Sequence, residues 1–78
     1  MTNIDTALAA VAATYAEHSR LVASGTASDI DLRRSFVATL RADHALHTAY
    51  GEAEAAQAIA YEIEWTIGDA ARAGMVIS

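Results

Sequence analysis

Two histidines three residues apart, His44 and His47, are the first side chains here whose type and spacing could do chemistry. On a helix they project from one side and can reach a common ion, with Asp43 adjacent and Glu52 or Glu54 approaching across a turn at Gly51. The HExxH and ExxH spacings that would make such a cluster a worked metal centre are absent. A small metal or ligand site around Asp43, His44 and His47 is accordingly the last of three readings. Asp43 and His47 are four apart, on the side of their helix that carries Phe36 and Leu40, so the two can touch. They are expected to form a packed polar pair. A catalytic dyad would need a nucleophile held in a cleft, and the local hydroxyls are only Ser35, Thr39 and Thr48. His18 cannot join them. An antiparallel turn at Gly25 puts His18 level with about Ser35, roughly 18 Å from His47 at 1.5 Å per residue.

No other enzyme signature is present. GxGxxG, GxxxxGK[ST] and GxSxG do not occur, and no carboxylate pair is held in an apolar stretch. The expectation is a chain that is not an enzyme and carries no cofactor.

The segment after Gly51 says more. Ala56, Ile59, Ala60, Ile63, Ile67 and Ala70 form one apolar ridge at helical spacing. Tyr61 and Trp65 are four apart and lie roughly 160° around from it, with Ala58 and Gly68. Glu54, Glu62 and Asp69 flank the aromatic pair. A helix in a small bundle needs one apolar face, and this one has two. Aromatic anchors rimmed by charge are the usual make-up of a binding hot spot. Tyr61, Trp65, Glu54, Glu62 and Asp69 are therefore the expected partner-binding residues, with the opposite assignment open: Tyr61 and Trp65 in the core and the isoleucine ridge outward. Arg34 and Arg41, seven apart with Arg33 nearby, make a basic stripe on the preceding helix, expected to serve in salt bridges.

Three elements must position these residues. Thr2 and Asp5 spell a capping box. Ile4, Leu8, Val11, Tyr15, His18 and Val22 then follow at threes and fours, predicting a helix over about 3–24 that ends at Gly25. Ser28 and Asp31 spell a second box and open a helix over 29–50, whose apolar face carries Leu32, Phe36, Leu40 and Tyr50, with Val37 and Leu46 towards its margins. A break at Gly51 gives a third helix over 52–73, capped by Gly74. The apolar tail Met75-Val76-Ile77 is expected to dock. The fold expected is all-α: one domain over 1–78, a small antiparallel three-helix bundle. The alternative is a long helical hairpin that dimerises.

Composition sets the limits. The chain has 78 residues, and 20 of them are alanine against six Ile, five Leu, four Val, one Phe and one Trp. Alanine favours helix but buries little area, so the core is thin and a partner or second copy would help complete it. With no cysteine, disulfides and thiolate sites are excluded. A net charge of −5, with all five basic residues arginine, argues against direct binding to nucleic acid. The longest uncharged run near the N-terminus, Thr6 to Ala16, is far short of the roughly 20 residues of a membrane span. No membrane partner is expected, and the localisation expected is cytoplasmic. The leading functional expectation is an acidic protein–protein interaction module. It would be a regulator or inhibitor that meets a basic surface on a larger machine, including one that handles nucleic acid. A structural homo-oligomer built on the third helix is the second reading.

Overall fold

The computed structural model describes residues 2–77. Its three helices are α1 (Asn3–Ser24), α2 (Asp29–Ala49) and α3 (Ala53–Arg72), with no strand among the described residues. The fold is thus all-α, a small three-helix bundle, and each boundary has a local cause. Thr2 Oγ1 accepts from the Asp5 N–H at 3.1 Å, while the Thr2 N–H donates to Asp5 Oδ2 at 3.3 Å. Both arms of the first capping box therefore form, satisfying two donors that a helix start leaves open. At α2 only the forward arm appears, with Ser28 Oγ accepting from Asp31 N–H at 3.2 Å.

Gly51 breaks the chain rather than continuing a helix. Its φ is 76°, a left-handed conformation that costs glycine little. The Glu52 N–H then donates to the His47 carbonyl at 2.9 Å and the Gly51 N–H to that of Thr48 at 3.0 Å. Those two bonds are a Schellman motif, which closes α2 without a polar side chain. Glu52 is the last residue of that motif and also the N-cap of α3, where its side chain makes no capping bond.

The helices lie side by side, with α2 in the middle. It packs against α1 on one flank and α3 on the other, and no Cα atoms of α1 and α3 come within 8 Å of each other. The principal extents are 36 × 26 × 14 Å. A thickness of 14 Å is little more than one helix with its side chains. The radius of gyration is 13.3 Å, against about 11.5 Å for a compact chain of this length. The accessible surface is 4999 Å², against about 4,500 Å² for an ordinary folded chain of this mass.

A helix sandwiched in a layer buries two opposite flanks, and this explains a departure from the sequence reading. Val37, expected at the margin of α2, is its most buried residue at 1 % exposure, packed with Ala70, Ile77 and the half-buried Ile30, Ile63, Ile67 and Met75. Of the face expected to be buried, Leu40 is buried and Leu32 half-buried, whereas Phe36 and Tyr50 remain exposed. The same correction holds for α1. Ala7 is buried and Val11, Thr14, His18 and Leu21 half-buried, while Leu8, Tyr15 and Val22 are exposed. The tail docks as expected at one residue: Ile77 is buried, Val76 is exposed, and Arg34 Nη2 donates to the Val76 carbonyl at 3.3 Å.

Candidate functional site

Burial decides which side of α3 is inside. Ala56 and Ala70 are buried, and Ile59, Ile63 and Ile67 are half-buried toward α2. Tyr61 and Trp65 point away from α2 at 62 % and 70 % exposure. They occupy the outer edge of the layer, one helical turn apart. The Arg72 guanidinium lies 5.7 Å from the Trp65 ring centroid, within cation–π range. Gly68 sits between them, and a Cβ there would stand 3.7 Å from Arg72 Nη1, an ordinary contact. Tyr61, Glu64, Trp65, Gly68 and Arg72 line a shallow hollow of about 240 Å³. Arg72 and Glu64 belong to this edge by position and were not singled out from spacing. Arg72 follows Trp65 by seven, and that interval was the available signal.

The acidic rim is unevenly deployed. Asp69 is engaged by two arginines, at 3.5 Å from Arg33 Nη1 and 3.7 Å from Arg72 Nη2. Glu62 is exposed, and its charge is felt at the Tyr15 hydroxyl. Glu54 is exposed in the first turn of α3, where a carboxylate also suits the helix dipole. The arginine stripe is structural in two of its members. Arg33 ties α2 to α3 through Asp69 and lies 3.5 Å from Asp29 on its own helix, and Arg34 holds the tail.

The expected Asp43–His47 pair does not form. Asp43 Oδ2 accepts from the Tyr15 hydroxyl across the α1–α2 seam at 2.8 Å, and His47 Nδ1 pairs with Glu52 Oε1 at 2.8 Å. Both choices follow from the fold. The Schellman turn brings Glu52 back beside His47, and the antiparallel α1 offers Asp43 a phenol. Holding the phenolic proton raises the Tyr15 pKa above the ordinary tyrosine value. Desolvation and the Asp43 and Glu62 charges add to this.

His44 lines two hollows on the opposite broad face, about 300 and 450 Å³, shared with Thr48 and walled largely by alanine. Among the described residues no three of His, Asp or Glu gather as a metal site would require. His18 meets Ser35, as the level of the Gly25 turn implied. The Ser35 hydroxyl donates to the Leu32 carbonyl at 2.9 Å, so the histidine nitrogen must be the donor to Ser35 Oγ. That polarity is the reverse of a base activating a serine. Thr39 and Thr48 likewise spend their hydroxyl protons on carbonyls one turn back. Among the described residues no helix is long and apolar enough to cross a membrane. Comparison of the chain with protein-family models, curated protein sequences and solved structures returns no match.

Proposed function

We propose that this chain is a non-catalytic, acidic helical interaction module that docks the outer edge of α3 onto a basic surface of a larger protein, acting as its regulator or inhibitor. The observation that carries this reading is the Tyr61–Trp65 pair, displayed away from the core on a helix whose isoleucine ridge is already spent on packing. Large aromatics with few rotatable bonds give much contact area for little entropy, which is why they dominate hot spots. Glu54 and Glu62 are placed to meet cationic residues at the rim. Asp69 would add its charge by exchanging Arg72 for a partner's arginine, and the same exchange would uncover the Trp65 ring. A net charge of −5 steers the chain toward a basic partner and speeds encounter at low salt. A machine that handles nucleic acid is one class of protein that carries such a surface.

The test is capture of proteins from the native host on the immobilised chain, followed by titration of any captured protein against wild type and Trp65→Ala. The reading expects the variant to weaken binding by at least about fivefold, the equivalent of 1 kcal/mol. It also expects affinity to fall with added salt. Binding indifferent to Trp65→Ala would remove the α3 edge from the interface.

A further inference from the structure

A second surface is larger than the α3 edge. Leu8, Tyr15 and Val22 follow one another by seven along α1, and Phe36, Asp43 and Tyr50 by seven along α2. A seven-residue step returns to nearly the same side of a helix, drifting by only about 20°. Each set is therefore a straight stripe. The Tyr15–Asp43 hydrogen bond joins the two stripes, so both look out of the same broad face of the layer. The antiparallel run places Val22 toward the Leu32–Phe36 end and Leu8 toward the Leu46–Tyr50 end. Of the eight large apolar residues that stand exposed among the described residues, five are on these stripes: Leu8, Tyr15, Val22, Phe36 and Tyr50. Within the stripes Asp43 is the one carboxylate, and it already accepts a hydrogen bond.

We propose that a second copy of this chain covers this face, the α1–α2 pairs of the two copies completing a four-helix core about a two-fold axis. Stripes with a period of seven are the geometry by which helices pack on helices at small crossing angles. An antiparallel pair so striped is half of a four-helix bundle, and an identical pair turned through two-fold symmetry supplies the other half. The size also fits. The accessible surface of 4999 Å² exceeds that of an ordinary folded chain of this mass by about 500 Å², surplus surface of the kind a second copy covers. The single chain has the corresponding deficit, since among the described residues only Val37, Leu40 and Ile77 of its large side chains are buried. Small chains with thin cores commonly close such a deficit by oligomerising. The hydrogen-bonded Tyr15–Asp43 pair, set in an apolar seam, would fix the register of the two copies as isolated polar groups do in coiled coils. This dimer leaves the outer edge of α3 free and does not depend on the partner assigned to that edge.

Sedimentation equilibrium of the full chain tests the idea, alongside Val22→Glu and Trp65→Ala. Wild type and Trp65→Ala are expected at twice the chain mass of 8.2 kDa at micromolar concentration. Val22→Glu is expected to raise the dimer dissociation constant by about 100-fold or more, since it sets an unpaired charge in the seam. A helical wild-type monomer up to millimolar concentration would overturn the proposal and give the face to a different protein. So would a dimer broken by Trp65→Ala and not by Val22→Glu. A charged variant can also simply unfold, so a second readout avoids charge. In a chain carrying Trp65→Phe and Tyr50→Trp, the sole indole sits on the proposed seam. Its emission is expected to shift to the blue as concentration rises, in step with the mass. An emission unchanged while the mass doubles would place the dimer interface elsewhere and overturn the proposal.

Discussion

The two flanks of α2 are built in opposite ways. Toward α3, Val37, Ala70 and Ile77 are fully buried and four larger aliphatic side chains close around them. Outside that cluster the buried residues of α1 and α2 are Ala7, Thr39, Leu40 and Ala42, all small but Leu40, and the specific contacts across the α1–α2 seam are polar: Tyr15 with Asp43, and His18 with Ser35. Leu8, Tyr15 and Val22 of α1 stand outside the seam, while Ile4, Val11 and Leu21 are half-buried. The α2–α3 flank is thus a finished core, whereas the α1–α2 flank is a hinge of small residues beside an apolar face that nothing in the single chain covers. The order of large and small residues around a helix, more than their number, decides whether a flank is complete.

The comparison is most severely broken by Val37→Asp, which puts a charge with no partner into the finished core. Such a group costs more than a domain of this size has to spare, and the chain is expected to lose its helical circular dichroism. Ile63→Ala sharpens the comparison. Deleting a half-buried side chain on the core side of α3 is expected to cost about 2 kcal/mol in denaturant unfolding, while Trp65→Ala on the outer side costs less than about 0.5 kcal/mol. Equal losses would mean that both sides of α3 are packed. A smaller gain is expected from Gly68→Ala. This glycine is inside α3, and an added Cβ meets only the mobile end of Arg72 at ordinary contact distance. Thermal denaturation should show a stabilisation of about 0.5–1 kcal/mol.

The smallest effect concerns the hinge. Folding raises the Tyr15 pKa, so the Tyr15–Asp43 contact contributes fully below the ordinary tyrosine value of about 10. That contribution fades as pH climbs through the raised value. The stability difference between wild type and Tyr15→Phe should therefore shrink above about pH 10. A difference independent of pH would remove the phenol's proton from the account.

How much of this was written in the sequence depends on how local its cause is. The helix ends were legible, since Thr2, Ser28 and Gly25 act within one turn of themselves. That α3 carries two apolar faces was legible too, since it needed only the angle between two sets on one helix; which of them turns outward was not, because either could have met α2. Asp43 was misread because its partner lies 28 residues away, and the contact four residues along its own helix was only the nearest candidate. His47 turned to Glu52 through a Schellman motif that no polar cap announced. The apolar faces of the first two helices were legible in part: Leu40 is buried and Leu32, Ile4, Val11 and His18 half-buried, while Leu8, Tyr15, Val22, Phe36 and Tyr50 stand exposed. Periodicity marks a face without saying whether the neighbour sits on its centre or on its flank, and here the alanines took the contact.

The difference between the two flanks can be measured residue by residue with native-state hydrogen exchange. In dilute solution the amides of Val37, Ile63 and Ile67 should be protected at least about tenfold more than those of Val11 and Tyr15, because a flank without a buried core opens more easily. Raising the chain concentration should bring α1 up to the protection of α3 as its face is covered. Uniform protection across all three helices in dilute solution, unchanged by concentration, would contradict the account.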